Sequence, residues 1–124
     1  MSQDIVADVL NQIMNAKRSR QTALEVNYSS RLLISVLALA KLKGYIKDYK
    51  HSKKSLKIEI GKLNECNAIK PRYNVTIGEI EKYEKRYLPA KGIGIIIIST
   101  SRGLMTSQTA REKNIGGSLI AYMY

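Results

Sequence analysis

Residues 94–103 read GIIIISTSRG, and this stretch decides the fold of the second half of the chain. Four consecutive isoleucines are typical of a strand buried on both faces, because a half-exposed strand would alternate with polar residues. Three hydroxyl residues follow at once, and Arg102 and Gly103 come directly behind them. We therefore predict a rigid interior strand that leaves the sheet as a tight, hydroxyl-rich turn.

The hydroxyl-rich turn, Ser99, Thr100 and Ser101, suits the recognition of sugars, phosphates and base edges. It suits nucleophilic catalysis much less, because no base lies nearby in the sequence to activate a serine. Serine in a turn is also commonly a turn former with no ligand at all, since its hydroxyl bonds to the local backbone. The residue types alone leave both interpretations open.

The chain is strongly basic. It has 124 residues, with 21 Lys and Arg against 10 Asp and Glu, which gives a net charge of +11. Both halves carry the excess, so the charge is not confined to a disordered tail. A polyanionic partner is indicated, either nucleic acid or an acidic membrane. Because 44% of the residues are hydrophobic, the chain has enough apolar surface to form a core.

The sequence lacks the signals that are typical of several functional classes of protein. No apolar run approaches the roughly 18 residues needed to span a bilayer, and residues 1–4 do not resemble a secretory signal. Cys66 is the only cysteine, which excludes an internal disulfide and a cysteine zinc cluster; we expect a buried thiol in a cytosolic protein. His51 lies among lysines and is predicted to be a solvated turn residue. We find no catalytic constellation, metal site or cofactor motif.

The pattern predicts an α+β fold of two small subdomains. The first, residues 1–62, is α-β-α-β-β. It comprises helix 4–16 capped by Ser2 or Asp4, strand 24–26, and a helix capped by Ser29 or Ser30 and stopped at Gly44. Strands 45–49 and 56–60 follow, and the second alternates, with Leu56, Ile58 and Ile60 inward and Lys57 and Glu59 outward. Residues 61–65 are a possible linker. The second, residues 66–124, is β-rich with short helices. It comprises strands 68–69 and 73–75, a helix from a Thr76–Glu79 capping box to Tyr83, the polyisoleucine strand, helix 107–113 and strand 118–124.

Basic groups occur in clusters between tyrosines, which supply every aromatic ring of the chain. Any one cluster is most often a solvated face, but together they favour a surface that follows phosphates. The clusters are Lys17/Arg18/Arg20, Lys41/Lys43/Lys47, Lys50/Lys53/Lys54, Lys70/Arg72 and Lys85/Arg86. Gly116 and Gly117 are expected to mark close backbone packing, which could also bring the backbone near a phosphate.

The chain resembles the small-subunit ribosomal protein eight family over essentially its whole length. The resemblance lies in segments 70–73, 85–89, 94–106, 110–113 and 116–122, and in residues 4–10, 13–16, 29–32 and 44–46 near the N-terminus. Its most specific part is Ser-Thr-Ser-x-Gly with a Gly-Gly pair some 13 residues later. Residues 66–89 are more similar to the archaeal and eukaryotic branch than to the bacterial one.

The resemblance implies a non-enzymatic protein of the cytoplasmic ribosome. Such a protein binds the central domain of small-subunit rRNA, aids assembly and contacts neighbouring small-subunit proteins, without a membrane, cofactor or small-molecule substrate. Carried over to this sequence, the best RNA contacts are Ser99, Thr100, Ser101, Arg102, Gly103, Tyr87 and Arg86. The secondary ones are Asn15, Lys17, Ser30, Arg31, Lys70, Arg72, Gly116 and Gly117. In this family, the hydroxyls would meet the RNA minor groove, which exposes 2′-hydroxyls and base edges.

Three alternatives remain at this point. The same surface would serve a translational repressor that binds its own messenger RNA, as bacterial relatives do. A phosphate-binding enzyme would need a titratable base near Ser99, and the sequence offers no candidate. A membrane-surface protein would need a lysine-rich amphipathic helix with bulky aromatics, and the sequence has none.

Overall fold

The computed structural model describes residues 5–27, 30–53, 55–70 and 72–124. The expected caps Ser2, Asp4 and Ser29, together with Lys54, lie outside these residues. The chain divides into two compact units, Met1–Cys66 and Asn67–Tyr124. Helices and antiparallel sheets are both present, which confirms the α+β class. Among the described helices, none is long and apolar enough to cross a membrane.

The first unit contains a three-stranded antiparallel sheet with two helices. Its elements are α1 (Ile5–Arg18), β1 (Ala23–Val26), α2 (Arg31–Leu42), β2 (Ile46–His51) and β3 (Leu56–Ile60), with strand order β1-β3-β2. The alternation predicted for β3 is confirmed, because Leu56 and Ile58 are fully buried while Lys57 and Glu59 are exposed. The prediction for His51 was wrong, since it ends β2 as an exposed strand residue rather than lying in the turn.

The ends of α2 follow the sequence signals. Ser30 has extended backbone angles, and its hydroxyl accepts a hydrogen bond from the Leu33 N–H at 3.1 Å. At the other end, Gly44 has a φ of +86°, a conformation that costs glycine little and other residues more. Both the cap and the stop are thus confirmed.

Residues 61–65 are packed rather than free, so the linker prediction was wrong for this segment. The Gly61 N–H donates to the Tyr45 carbonyl oxygen at 2.9 Å, and the Lys62 N–H donates to the Gly44 carbonyl oxygen at 3.0 Å. Leu63 is only 4% exposed. A single buried leucine and two backbone hydrogen bonds are enough to hold a polar-looking segment against its own unit.

The Cys66 thiol is buried, as expected. Its Sγ lies 3.6 Å from the carbonyl oxygen of Leu10, and its N–H donates to the Met14 sulfur at 3.3 Å. Burial raises the pKa of Cys66 to about 12, and the charge of Glu65 adds to the effect. The thiolate, which is the reactive form, is therefore scarce in the folded protein at neutral pH.

We expect Cys66 to make folding less favourable in alkaline solution. The folded pKa is higher than the unfolded one, so the unfolded chain loses its proton first and the stabilising contribution is lost as the pH rises from about 9 to about 12. Comparing urea unfolding of the natural protein and Cys66→Ala at pH 8 and pH 10 should reveal a differential loss of about 1.4 kcal/mol per pH unit above 9. Equal pH dependence in the two proteins would contradict this.

The second unit is built on a five-stranded antiparallel sheet. Its elements are β4 (Cys66–Ala68), β5 (Asn74–Val75), α3 (Ile77–Tyr87), β6 (Ile95–Thr100), β7 (Gly103–Thr106), α4 (Ser107–Glu112) and β8 (Gly117–Met123). The strand order is β4-β8-β6-β7, with β5 also paired to β8. The core joins the sheet to both helices through Ile69, Val75, Ile80, Tyr83, Ile96, Ile98, Met105, Ala110 and Leu119.

The polyisoleucine strand is buried on both faces, as predicted. Ile96, Ile97 and Ile98 are fully buried and Ile95 is 8% exposed. Two details of this half differ from expectation. Strand β6 continues through Ser99 and Thr100, because both residues pair with β7, a strand that the sequence did not predict. The short segment Gly103–Thr106 has no clear alternation, so pairing with its neighbour alone makes it a strand.

Helix α3 begins at the predicted capping box and ends one turn later than expected, at Tyr87. The Glu79 carboxylate accepts hydrogen bonds from the Thr76 N–H and from the Thr76 hydroxyl, both at 3.0 Å. The hydrogen bond from the Thr76 N–H lowers the pKa of Glu79 most, and the hydrogen bond from the Thr76 hydroxyl lowers it further. The helix continues past Tyr83 because Tyr87 and Leu88 also pack against the core.

Candidate RNA-binding site

The predicted hydroxyl turn is the tip of the β6–β7 hairpin. Thr100 pairs with Gly103, so Ser101 and Arg102 form the loop, and both are exposed. Neither loop residue has a positive φ, whereas Gly103 has a φ of +107°. No atom lies within 4 Å of where a Cβ of Gly103 would stand, so the residue is glycine for its backbone conformation rather than for space.

Thr100 holds the turn together from inside. Its hydroxyl donates to the Gly103 carbonyl oxygen at 2.8 Å and accepts from the Arg102 N–H at 3.1 Å. The only hydroxyl proton of Thr100 is therefore used within the hairpin. Thr100 positions Ser101 and Arg102, and an RNA contact through its oxygen would be an additional role.

Ser99 and Ser101 have open hydroxyls. The side chains of these two residues have no hydrogen-bond partner among the described residues, and Ser99 is half-buried while Ser101 is exposed. No carboxylate or imidazole of the described part of the chain bonds to either hydroxyl, so neither is activated as a nucleophile. One open hydroxyl near the end of a rigid strand and a second in the adjoining loop are suited to binding a polar surface.

Ser118 and Asn74, which were not among the predicted contacts, extend this polar group. Ser99 pairs with Ser118 of β8, and Ser118 pairs with Asn74 of β5. Directly opposed residues point to the same face of a sheet, so the three side chains form one row. The Ser118 hydroxyl is hydrogen-bonded to the Asn74 side-chain oxygen. The strand register alone brings the three together, and a single sequence does not reveal that register.

The glycine pair allows close packing within the sheet, as predicted. A Cβ at Gly117 would overlap the Ser99 carbonyl oxygen, and one at Gly116 would overlap the Val75 carbonyl oxygen. Gly117 therefore lies directly against Ser99, while Gly116 lies against β5. The side of each glycine from which a Cβ would project is thus occupied by the protein's own backbone. An RNA phosphate would have to approach from another side.

Arg86 and Tyr87 occupy the last turn of α3. The Arg86 guanidinium lies 5.7 Å from the centre of the Tyr87 ring. Tyr87 is half-buried against the core of the second unit, and it stacks with Tyr83 at 6.5 Å and with Tyr122 at 5.2 Å between ring centres. An RNA contact in which Tyr87 stacks on an unpaired base would therefore compete with two protein rings.

Tyr87 belongs to a larger tyrosine column, which the sequence did not indicate. Successive ring centres in this column are 5.2 to 6.5 Å apart. Its members, in spatial order, are Tyr73, Tyr83, Tyr87, Tyr122 and Tyr124. Stacked rings restrict one another, so the column stiffens the connection between α3 and β8, the strand that carries Ser118.

The secondary residues lie at element ends in both units. Asn15 and Lys17 lie in the last turn of α1, where Asn15 is exposed and Lys17 is half-buried. Ser30 and the exposed Arg31 lie at the start of α2, where the free N–H groups of the first turn favour an anion. Lys70 and Arg72 are exposed between β4 and β5. Within the second unit, the structure brings Gly117 beside the hairpin strand and leaves Gly116 beside β5.

Fold and charge together define a small, basic α+β protein with an exposed polar hairpin tip. The described residues contain no group of three or more His, Cys, Asp or Glu that could hold a metal ion. The model of the family "Ribosomal protein S8" matches residues 4–124, and the chain belongs to this family. It is thus a ribosomal protein rather than an enzyme.

Curated relatives agree along the whole chain. "Small ribosomal subunit protein uS8" of Nanoarchaeum equitans is 46% identical over 129 aligned positions, and the protein of the same name from Archaeoglobus fulgidus is 39% identical over 129 positions. In both comparisons the alignment covers all of this chain and all of the relative. The archaeal relatives fit the branch that the middle of the sequence resembles.

Proposed function

We propose that this chain is a structural constituent of the small ribosomal subunit, in the cytoplasm, that binds the central domain of the rRNA through the β6–β7 hairpin. Membership of the ribosomal protein S8 family and the names of the full-length archaeal relatives support this function. The observation that carries the contact is the pair of open hydroxyls, Ser99 and Ser101, at the end of a strand whose preceding isoleucines are buried.

The hairpin is suited to the minor groove of an RNA helix. That groove is wide and shallow and presents 2′-hydroxyls and base edges, which both donate and accept hydrogen bonds. A serine hydroxyl also does both, so it can bond to either group. Strand β6 is held on both sides by β7 and β8, and this pairing fixes the Ser99 backbone that carries the hydroxyl before RNA binds. A preformed contact loses little conformational entropy on binding.

Positive charge supplies affinity that does not depend on RNA sequence. Arg102 is exposed at the hairpin tip, and Arg86 lies on the last turn of α3. In the first unit, Lys17 and Arg31 add further cations at the ends of α1 and α2. Each phosphate neutralised by such a group releases counterions, so binding weakens as salt is raised.

Neighbouring small-subunit proteins are further partners in this proposal. Binding to a messenger RNA that imitates the rRNA site stays a prediction.

Replacing Ser99 and Ser101 together by alanine should weaken binding to a fragment of the rRNA central domain by roughly 1–3 kcal/mol, because each serine loses one or two hydrogen bonds at a desolvated contact. Fluorescence anisotropy or filter binding with a labelled fragment measures the effect. Ser35→Ala, an exposed serine on α2, is the matched control and should leave the affinity unchanged. Equal affinity of the double variant and the natural protein would rule out the hairpin contact.

A variant with fewer lysines distinguishes the electrostatic contribution to RNA binding from the contribution of the serine hydrogen bonds. Replacing Lys53 and Lys54 by alanine should mainly reduce the slope of log affinity against log salt, by about one for each phosphate that the protein no longer neutralises. The hydroxyl variant should keep the slope and lower the affinity at every salt concentration.

A further inference from the structure

A cleft of about 230 Å³ opens in the second unit between α3 and α4. Leu88, Pro89 and Ile95 form apolar walls. Its lining includes Ile95 and Thr106, at the ends of β6 and β7 away from the hairpin tip, and the proposed hairpin contact does not use it. Apolar walls with a few fixed polar groups are typical of sites that take a small, flat group.

The polar side of the cleft is formed by the buried Ser107 and by Glu84, whose carboxylate, within the residues that the structure describes, has hydrogen-bond partners on only one of its oxygens. Ser107 is only 2% exposed, and its hydroxyl donates to Glu84 Oε2 at 2.9 Å. Arg111 Nη2 lies 3.5 Å from the same oxygen. The other carboxylate oxygen of Glu84, Oε1, has no hydrogen-bond partner among the described residues, and the side chain is 19% exposed. An ionised carboxylate only accepts hydrogen bonds, so the cleft calls for an N–H or O–H donor.

The cleft carries an excess of positive charge. Its lining includes three cations, Lys85, Lys91 and Arg111, against the two carboxylates of Glu81 and Glu84. Lys85 pairs with Glu81 at 3.8 Å, but both side chains are mostly exposed, so the pair is weak and leaves Lys85 able to reach an anion. Lys91 is exposed and forms no ion pair within the described part of the chain. An occupant therefore needs donors at its inner edge and negative charge at its outer end.

We propose that this cleft binds one unpaired guanosine nucleotide of an RNA, in addition to the hairpin contact; the inference rests on the proposed function as an RNA-binding protein. A nucleotide has flat faces for the apolar walls and a phosphate for the cations. Guanine is the base whose Watson–Crick edge carries two adjacent N–H donors, at N1 and N2. Adenine and cytosine each place an acceptor beside a donor there, and uracil places acceptors on both sides of its single N–H. The Glu84 carboxylate, with Oε1 open and Oε2 beside it, presents only acceptors to the occupant and therefore favours guanine.

A cationic side chain from a protein partner would also bond to Glu84. The excess of three cations over two carboxylates makes that occupant less suitable, because a lysine or arginine would enter a cleft that is already net positive. The charges of the cleft thus favour the nucleotide, and the protein partner becomes an outcome of the test.

The experiment uses the full chain and three labelled pentanucleotides, UUGUU, UUAUU and UUIUU, where I is inosine. We expect UUGUU to bind roughly tenfold more tightly than UUAUU, because a hydrogen bond to a charged group is at stake. Inosine keeps the N1–H and lacks the N2 amine, so the affinity for UUIUU should lie between the affinities for UUGUU and UUAUU. Glu84→Gln should remove the preference, since the amide presents a donor where the carboxylate presents only acceptors, while Glu81→Gln, at an exposed neighbour, should retain it.

A second measurement covers the case in which Glu84→Gln fails to fold. Amide NMR spectra of the natural protein should show shifts on α3 and α4 when UUGUU is added. Equal affinity for UUGUU and UUAUU, shifts away from these helices, or displacement of UUGUU by a short arginine peptide that shifts the same amides would overturn the proposal. The Ser99→Ala/Ser101→Ala variant should keep the guanine preference while losing rRNA affinity, so the two proposals fail separately.

Discussion

Gly117→Ala is expected to lower the free energy of unfolding by about 3 kcal/mol, at the upper end for overpacking. The added Cβ would overlap the backbone carbonyl oxygen of Ser99 and lie 2.9 Å from Ile98 Cγ2. A side chain could rotate away, but this carbonyl belongs to a strand held between two others. The strands β6 and β8 would have to separate locally. Urea unfolding followed by circular dichroism measures the change.

The same variant should weaken RNA binding, because Ser99 would move with its carbonyl. Gly78→Ala is the matched control: no atom lies within 4 Å of its Cβ position, its φ is not positive, and it lies in the first turn of α3. That substitution should stabilise the protein by about 0.5 kcal/mol, since alanine restricts the unfolded chain. If both variants were equally stable, close packing at Gly117 would not be the reason for the glycine.

Ile98→Ala should be similarly damaging, with a loss of about 2–5 kcal/mol. Ile98 is fully buried and contributes to the core that joins the sheet to α3 and α4. Removing three carbons leaves a cavity that a sheet held on both sides fills poorly. Thermal or urea unfolding of the variant gives the magnitude.

Ile93→Ala is the comparison for this prediction. Ile93 is the same residue type, five positions earlier, and 54% exposed, so its truncation should change stability by less than about 0.5 kcal/mol. Similar losses for the two isoleucines would mean that burial in the β6 core is not what stabilises this unit.

Much of the fold was predictable because short-range sequence signals indicate the same helices, strands and stops that bury the apolar side chains. The alternation of β3, the capping box at Thr76 and the left-handed stop at Gly44 each act within a few residues, and each is confirmed. The polyisoleucine strand was predictable for a related reason, since four buried isoleucines leave no exposed face. Strand β7 was missed because its four residues become a strand only by pairing with β6.

The candidate site was only partly predictable. The hydroxyl group of Ser99 and the exposed tip at Arg102 follow from the sequence pattern. The use of the Thr100 hydroxyl inside the turn, the stacking of Tyr87 between protein rings and the row formed with Ser118 and Asn74 do not. The Tyr87 and Ser118 contacts join residues up to 44 positions apart, so no local pattern records them. The Thr100 contacts span only two or three residues, but the residue types alone do not show whether a turn hydroxyl bonds to the backbone or stays open.

The sequence by itself determined the α+β class, the basic charge, the buried strand and the presence of a turn behind it, because each depends on composition or on short-range periodicity. The tertiary structure alone decided which hydroxyls are open and which are already bonded. It also placed Gly117 against Ser99 and brought Glu84 to Ser107 beside an apolar cleft. The physical reason is strand register and helix packing, which bring distant residues within hydrogen-bond distance.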